Sequence, residues 1–543
     1  MSPNRIRIPA ALAALGLLTA VPVASASDGH PGTRHVLLIS VDGLHQTDLA
    51  AYVARHPHSA LAGVVARGTE YTAARTPVPS DSFPGLIGQL TGGDPAATGI
   101  YYDATYNHGL LPAGTTSCAG VTPGAPVDLT EDLDRDQTRL DAGQGLSGLP
   151  GSVLGMTGVP QTLLNQAGLP VDPRTCRPVQ PHEYLKVNTV FEVARQAGLR
   201  TAWSDKHPAY EILNGPSGTG VQDLFTPEIN STGPAGAGDW TTDNAATQQY
   251  DGYKAQAVLN EIDGFDHSRT RRSGTPAVFG LNFQSVSTAQ KLPKSGGQAG
   301  GYLPGGTVPG PVLTSALDFV DGRIGAFVAE LRRQHLDRST TIILSAKHGQ
   351  SPTDPSALTR VADGKLLDGL NAAWQAGHPG TGDLVAASAD DDAMLLWLTD
   401  RSPAAAAFAK QYLLAQNGTG TDSTGAAKAF TRSGLQTVYA GADAARYFGV
   451  RPGDTRVPDL FGVTQYGVVY TGGTKKIAEH GGVAPDDRAV PLVVSGPDRD
   501  ARTVTGPVTT TQIAPTILRL LGLDPRALQA VRQEGTRVLP GIG

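Results

Sequence analysis

The sequence is poor in several residue types, and each shortage narrows the classes of protein that it can encode. Only 2 of the 543 residues are cysteine, which excludes a disulfide-dense scaffold and a multi-cysteine metal site. After residue 26 no segment reaches the roughly 20 consecutive apolar residues needed to span a bilayer. The net charge of −6 and the pI near 6.1 argue against binding to a nucleic-acid duplex, which favours basic surfaces. We therefore expect neither a membrane span nor a nucleic-acid partner.

The N-terminus has the pattern of an export signal. Arg5 and Arg7 precede an apolar run over residues 8–23, and the small residues Ala24-Ser25-Ala26 follow it. A membrane anchor is the alternative, but the run is short and ends in a cleavage pattern. The sequence therefore predicts a signal peptide over residues 1–26 and a secreted protein, extracellular or periplasmic.

The rest of the chain has the composition of a large folded protein. Hydrophobic residues make up 40% of it and charged residues 17%, enough for a large core in one α/β domain with insertions or in two domains. The two cysteines, Cys118 and Cys176, suit an oxidising compartment, where they form a disulfide or remain as two buried thiols. We expect the disulfide.

The first buried run indicates where ligands bind. Residues 34–41 (RHVLLISV) end at Asp42-Gly43. A continuous apolar run followed by helical sequence is typical of a central strand in a parallel sheet. Asp42 would then lie at the carboxyl end of the strand, the edge where open α/β sheets bind ligands. Asp-Gly after a strand is also a common turn, so the local pattern leaves both interpretations open.

A lone hydroxyl stands where a helix is predicted to begin. Ser82 precedes Phe83 and Pro84, and proline belongs in the first turn of a helix. Ser82 is therefore predicted to be an N-cap, whose hydroxyl satisfies a backbone donor. The alternative is a nucleophile whose developing negative charge lies at the positive end of the helix dipole.

The segment from residue 77 to residue 99 resembles the nucleophile segment of the type I phosphodiesterase and nucleotide pyrophosphatase family, within the alkaline phosphatase superfamily. That family has Thr or Ser directly before Phe-Pro, and a helix that leads to Thr-Gly, Pro and Gly-Ile. The same landmarks occur here in order: Ser82, Phe83, Pro84, Thr91, Gly92, Pro95, Gly99 and Ile100. Further similarity extends from Asp42 in Ser-x-Asp-Gly to Leu521 at the end of a helix that contains Ile-Ala-Pro-Thr.

The resemblance implies the fold and its organisation. We expect an α/β, alkaline phosphatase-like fold with a mostly parallel central sheet, helices on both faces and a loop-rich insert after the nucleophile helix. The catalytic domain would span residues 34–521. Residues 104–180, rich in Gly, Pro, Thr and Asp, would form the insert within it.

The resemblance also implies a metal site, from which this chain departs in three places. The implied ligands are Asp42, Ser82, His348 and His480. The implied cofactor is one or two divalent metal ions, zinc above all. Manganese or calcium would suit a site with fewer ligands. The family has Asp-x-x-x-His after the strand predicted over residues 277–283, where this chain has Val286 and Gln290. It also has Asp-His-Gly, where this chain has Lys347-His348-Gly349.

Three further residues are candidates for binding substrate. Asp103 stands where the family has an Asn that donates to the phosphoryl oxygen, so its carboxyl group would be protonated, bind a cation or point elsewhere. Asp205 and His207 follow the strand predicted at LRTAWS, where they either contact substrate or metal or form an exposed polar turn. The acidic run over residues 390–392 is predicted to be solvated.

Three functions follow from these residues. The first is a secreted hydrolase of a small-molecule phosphoester, phosphodiesterase- or nucleotide pyrophosphatase-like, with a covalent intermediate on Ser82. The second is a one-metal hydrolase of a sulfate or phosphonate ester that uses Lys347 as a fixed positive charge. This arrangement resembles that of the sulfatases, in which lysines stand beside a single cation. The third is a secreted binding protein that kept the fold and lost catalysis. The sequence does not determine the oligomeric state.

Overall fold

The computed structural model describes residues 34–234, 238–497 and 501–542, so the predicted signal peptide lies outside the described residues. Its centre is an eight-stranded sheet. The strands, numbered β1 to β8 in chain order, are His35–Val41, Gly68–Tyr71, Ala202–Ser204, Asp223–Phe225, Val278–Phe283, Thr340–Ser345, Val493–Ser495 and Arg502–Val504. Their spatial order is β8-β2-β7-β6-β1-β5-β3-β4, and all neighbouring strands are parallel except those that pair with β7. The expected α/β fold with a mostly parallel sheet is confirmed.

Helices cover both faces of this sheet, and the composition of β1 shows why. Val36 and Leu38 of β1 pack into one apolar cluster, whereas Leu37, Ile39 and Val41 pack into the other. A strand that is buried on both faces needs the continuous apolar run seen in the sequence. The flanking helices, numbered α1 to α7 in chain order, are Gln46–Arg55, Ala60–Val65, Ser82–Thr91, Val190–Gln196, Asn244–Ile262, Pro311–Arg333 and Ile513–Leu520. Helices α3, α4 and α7 pack on the first face, and α1, α2, α5 and α6 on the second.

A smaller antiparallel sheet lies between β6 and β7 in the sequence. Its strands, in spatial order, are Val385–Asp390, Ala393–Leu398, Leu460–Thr464 and Leu435–Ala440. The helices Asp363–Gly377 and Pro403–Ala415 share an apolar cluster with this sheet. It therefore has a core of its own beside the central sheet.

The segment after α3 is compact rather than open. It contains a hairpin of Ala104–Asn107 with Ala125–Asp128, several short 3-10 helices and the Cys118–Cys176 disulfide, which confirms the predicted pairing. Apolar side chains of this segment pack against residues that follow β3 and β4: Leu140, Val153, Met156 and Leu163 join Phe225, Ile229 and Trp240. In the ranges that the structure covers, no helix has the length and apolar character to cross a membrane.

Candidate active site

The sheet order brings the predicted site residues to one edge. Strands β6, β1, β5 and β3 are neighbours and run in the same direction, so their carboxyl ends meet. The residues that follow these four ends are, in the same order, Lys347-His348, Asp42, Gln284 and Asp205-Lys206-His207. Segments more than 300 residues apart in the chain thus contribute to one place.

Helix α3 presents Ser82 to this edge. The predicted N-cap role of Ser82 is wrong: Asp81 is the N-cap and accepts the backbone N–H of Phe83 at 3.1 Å, and Ser82 is the first helical residue. Its hydroxyl is thereby free for other contacts. Ser82 Oγ lies 3.3 Å from His348 Nε2 and accepts a hydrogen bond from Lys206 Nζ at 3.1 Å. The helix dipole adds positive potential at the same point.

Asp42 follows β1 at the same edge, and one of its two carboxylate oxygens is well supplied with hydrogen bonds. Its Oδ2 accepts hydrogen bonds from Asn282 Nδ2 at 3.1 Å and from Gln284 Nε2 at 2.6 Å, and lies 3.7 Å from His348 Nε2. Burial alone would raise the pKa of Asp42, but Lys347, His348 and Lys206 together hold it well below its usual range. Asp42 is therefore a carboxylate, and its buried Oδ1 has no hydrogen-bond partner among the described residues.

Two histidines face each other above Ser82. His348 Nδ1 donates to the carbonyl of Gly349 at 2.7 Å, so in the neutral ring Nε2 carries the lone pair that faces Ser82. The rings of His348 and His480 lie 3.8 Å apart between centroids, and His480 Nδ1 lies 3.3 Å from Asp81 Oδ1. Burial, then His348 and Lys291, lowers the pKa of His480 well below its usual range, so this ring is neutral.

Lys347 is directed away from Ser82. Its ammonium donates to Asp205 Oδ1 at 2.9 Å and to the Tyr210 hydroxyl at 2.8 Å, and the residue is completely buried. Trp203 Nε1 donates to the other carboxylate oxygen of Asp205 at 2.9 Å. Burial lowers the pKa of Lys347, although Asp205 opposes this. The sequence predicts a catalytic role for Lys347 and a substrate-binding role for Asp205. In the structure these two side chains pair with each other.

Lys206 is the residue that the sequence analysis missed as a site residue. Its Nζ lies 3.1 Å from Ser82 Oγ and 4.0 Å from Asp42 Oδ2. Burial opposes its charge, but Asp42, Asp205 and Asp81 raise its pKa above the ordinary value. The possibility of an exposed polar turn over residues 205–207 is wrong, because Asp205 and His207 are buried. The only sequence signal was the position of this turn after β3.

Asp103 lies close to other acidic groups. Its Oδ1 accepts the backbone N–H of Ala104 at 2.7 Å. Burial, with the charges of Asp81 and Asp391, raises the pKa of Asp103 well above its usual range. Of the three alternatives for this residue, the electrostatics favour the protonated one.

The prediction of a solvated acidic run at residues 390–392 is wrong. Asp392 is 2% exposed and accepts a hydrogen bond from Ser351 Oγ at 2.8 Å, and Asp391 accepts one from the Tyr102 hydroxyl at 2.8 Å. Burial raises the pKa of Asp391 to about 7. The run precedes a strand of the smaller sheet, and that sheet packs its end against the segment that carries His480.

His207 turns to a different partner. Its Nδ1 donates to the carboxylate of Glu228 at 2.8 Å, on the side of the insert. Burial, then Lys206, lowers the pKa of His207 to about 3. The structure therefore does not bring His207 into contact with Ser82.

Three donor atoms at and beside Ser82 have the chemistry of ligands for a divalent cation. His348 Nε2 lies 3.3 Å from Ser82 Oγ and 3.7 Å from Asp42 Oδ2. These distances are close to the roughly 3.3–3.6 Å between ligands of tetrahedral zinc. The unpaired Asp42 Oδ1 and the His348 tautomer suit such an ion. At the family's other metal position, Val286 lies in the apolar core and Gln290 donates to the Gly43 carbonyl at 2.9 Å, which leaves His480 alone.

The side chain of Lys206 competes with a cation at this position. An ammonium about 4 Å from a dication is repelled by several kcal/mol at an effective dielectric constant near 20. Since Lys206 Nζ already lies on Ser82 Oγ, an ion held by Asp42, Ser82 and His348 requires this side chain to move. Access is open on the same side, because the side chains of Lys206 and His480 remain 15% and 9% exposed while that of His348 is 1% exposed.

Comparison with known proteins places this geometry in a family. The model of the type I phosphodiesterase / nucleotide pyrophosphatase family matches residues 36–116 and 172–483, more than half of the chain. The chain belongs to this family. The gap in the match, between residues 116 and 172, falls in the disulfide-linked segment after α3. No curated protein sequence matches the chain.

Solved structures share the fold of this phosphodiesterase family member. Murine ectonucleotide pyrophosphatase / phosphodiesterase 5 has 12% sequence identity and a TM-score of 0.54, with 90% of this chain and 96% of that chain covered. An inactive variant of that enzyme in complex with AMP gives 11% identity, a TM-score of 0.54 and coverages of 91% and 96%. A mutant of the alkaline phosphatase PafA gives 14% identity, a TM-score of 0.59 and coverages of 91% and 96%. The alkaline phosphatase-like fold is thus shown.

Proposed function

We propose that this family member hydrolyses a phosphodiester through a covalent phosphoryl intermediate on Ser82. The observation that carries the proposal is the pair of contacts at the Ser82 hydroxyl: the lone-pair nitrogen of His348 at 3.3 Å and the ammonium of Lys206 at 3.1 Å. A serine needs a base to take its proton and positive charge to stabilise its alkoxide. Both lie within reach of one oxygen at the N-terminus of a helix.

The chain's own residues account for the proton and the charge in each step. Ser82 Oγ attacks phosphorus, His348 Nε2 takes its proton, and the ester oxygen leaves as an alcohol after it receives that proton. Water then attacks the phosphoserine, His348 takes a proton from the water, and Ser82 regains its own on release of phosphate monoester. Lys206 offsets the negative charge at Ser82 throughout, while Lys347 and Asp205 neutralise each other behind it.

A divalent cation would be held by Asp42, Ser82 and His348. When bound, it would supply a lowered serine pKa and charge stabilisation at the phosphoryl oxygens. His348 Nε2 cannot ligate and accept a proton at once. The position of Lys206 on Ser82 supports the proton-accepting role.

The charge of the site favours a diester over a monoester. Around Ser82 one ammonium, from Lys206, faces the carboxylate of Asp42, so little net positive charge is available for a dianionic monoester. A phosphodiester carries a single negative charge and is the better match. The AMP complex of a fold neighbour makes nucleotide diesters the first substrates to examine. A sulfate ester, also a monoanion, is the second candidate on the same ground.

Substitution of Ser82 tests the proposal. Ser82→Ala should reduce cleavage of bis-p-nitrophenyl phosphate at least about 10³-fold, because loss of a catalytic nucleophile removes the covalent route, and Ser82→Thr should retain part of the activity. Ser59→Ala is the matched control, since it removes an N-cap hydrogen bond from α2 at a cost of about 1 kcal/mol and leaves catalysis intact.

The same assay separates the alternatives. Faster cleavage of p-nitrophenyl phosphate than of the diester would contradict the diester assignment, and cleavage of p-nitrophenyl sulfate alone would establish the second candidate. A wild-type chain that cleaves none of these esters but binds AMP would point to a binding protein. Equal rates for wild type and Ser82→Ala would contradict the nucleophile assignment.

We also propose that the chain is exported and cleaved after Ala26. The residues that support this are Arg5, Arg7 and Ala24-Ser25-Ala26. The Cys118–Cys176 disulfide is consistent with an oxidising compartment.

A further inference from the structure

A second cluster of metal-ligating side chains lies outside the candidate active site. Glu131, His207 and Glu228 each offer a ligand atom, and these atoms lie within 4.8 Å of one another. Among the residues covered by the structure, this is the one group of three or more His, Cys, Asp or Glu side chains that converge so closely. Neither the sequence motifs nor the family match pointed to it.

The three residues come from separate parts of the fold. His207 follows the carboxyl end of β3, Glu228 follows the neighbouring strand β4, and Glu131 begins the 3-10 helix Glu131–Leu133 after the hairpin. The Thr130 hydroxyl accepts a hydrogen bond from the backbone N–H of Asp132 and caps this helix. Rigid elements therefore fix each side chain, as a built metal site requires.

Asp134 supplies an independent observation. It is 6% exposed, and neither of its carboxylate oxygens has a hydrogen-bond partner within the described part of the chain. Burial raises the pKa of Asp134, and the nearby carboxyl group of Glu228 raises it further. A buried acidic group without a partner is unfavourable unless a proton or a cation neutralises its charge.

We propose that Glu131, His207 and Glu228 bind a divalent transition-metal ion, zinc or manganese, that joins the insert to the central sheet. One imidazole nitrogen with carboxylate oxygens suits these ions, whereas calcium prefers six to eight oxygen ligands. The ion would neutralise the excess acidic charge and cross-link segments about 75 to 100 residues apart in the chain. The role is structural, because His207 makes no contact with Ser82.

Metal content of the full chain tests this site. The chain is stripped with chelator, incubated with zinc or manganese and desalted, and bound metal is measured by mass spectrometry together with the melting temperature. We expect a metal equivalent that survives Asp42→Asn, a change confined to the active site, and a higher melting temperature with the ion. His207→Gln should abolish both effects, with affinity at least about 100-fold weaker, since loss of even a supporting residue costs 10–100-fold.

Glu131→Gln is the second variant, because Glu131 is half-buried and its replacement leaves the fold intact. It should weaken metal binding without lowering the melting temperature of the metal-free chain. The proposal is overturned if zinc and manganese neither bind to the wild type nor raise its melting temperature, which would indicate that a proton neutralises the acidic cluster. It is also overturned if the ion is lost only in Asp42→Asn, or if only calcium binds. None of these outcomes depends on the proposed hydrolysis.

Discussion

At Ser82, the proposed nucleophile, the ammonium of Lys206 lies beside the oxygen that members of this family are expected to coordinate to metal. Its contacts with Ser82 and Asp42 provide positive charge without an ion. The sequence departures at Val286, Gln290 and Lys347 remove three expected ligands, and Lys206 accounts for how the site remains balanced in charge. Lys347 contributes indirectly, since its pairing with Asp205 leaves Lys206 free to interact with Ser82.

Asp103 provides a test at the same scale. A carboxyl group with a raised pKa is neutral and can donate to a phosphoryl oxygen, as an Asn would. Activity should therefore be present below this pKa and be lost as the pH rises through it. Asp103→Asn keeps a neutral donor at every pH, so its profile of kcat/KM against pH should lose the alkaline decline that the wild type shows.

The control for this experiment is Asp103→Ala, which removes the donor and should lower kcat/KM at all pH values by roughly 10-fold or more, the value of one hydrogen bond to a charged group. An Asn variant with the same alkaline decline as the wild type would contradict a protonated Asp103. Stability follows the same sign: a raised carboxyl pKa stabilises the folded state below the unfolded pKa, and this contribution is lost as the pH rises through the folded pKa.

At the scale of elements, the close approach of α3 to the turn after β6 positions Ser82. Gly85 lies where a Cβ atom would collide with the backbone carbonyl of Lys347. The absence of that atom lets the first turn of α3 approach the residue next to His348. The distance between Ser82 and His348 therefore depends on Gly85, although this glycine has no left-handed backbone conformation and lies in no turn pattern.

Gly85→Ala should lower both stability and activity. The backbone carbonyl cannot rotate away as a flexible side chain would, so we expect a loss of about 1–3 kcal/mol in the free energy of unfolding. A shift of about 1 Å at a reacting group can cost roughly 10²-fold in rate. Denaturant unfolding and diester cleavage measure the two effects.

Gly322→Ala is the matched control, because Gly322 lies within helix α6 and a Cβ there meets nothing within 4 Å. It should stabilise the chain by up to about 1 kcal/mol through helix propensity. If both alanine variants behave alike, the proposed tight contact between α3 and Lys347 is wrong.

The ends of individual strands and helices show where the local sequence sets the boundary of an element and where it does not. Strands β6 and Ala393–Leu398 coincide with apolar runs in the sequence, because turn residues border those runs on both sides. Helix α5 begins at Asn244 although its first turns are polar, because the Asp243 side chain caps it. Strand β7 is short and antiparallel to both of its neighbours, and strand direction depends on pairing partners that lie far away in the sequence.

At the scale of the whole molecule, the disulfide closes a loop within the insert, and the proposed metal would join the insert to the central sheet. Cys118 and Cys176 are separated by 58 residues. In the chain-entropy model, a loop of this size stabilises the folded state by about 4 kcal/mol, chiefly by restricting the unfolded chain. The covalent link suits a protein that leaves the reducing cytoplasm.

Analysis of the secreted chain tests export and the disulfide together. The intact mass under non-reducing conditions should correspond to a chain that begins at Ser27 and contains no free thiol, and the Cys118→Ser/Cys176→Ser double variant should melt several degrees lower. A secreted chain that retains residue 1 would contradict cleavage after Ala26. Two thiols that react after denaturation without reductant would contradict the disulfide in solution.

The sequence by itself determined the buried strands β1, β3 and β5, the position of Asp42 at the end of β1 and the start of helix α3 near Ser82. Apolar runs and turn residues set these features locally, so they could be read without a fold. The tertiary structure alone decided that Asp81 rather than Ser82 caps α3, that Lys206 contacts Ser82, and that His207 joins Glu131 and Glu228. These contacts depend on side-chain direction and on the spatial order of strands distant in the chain, which no local pattern encodes.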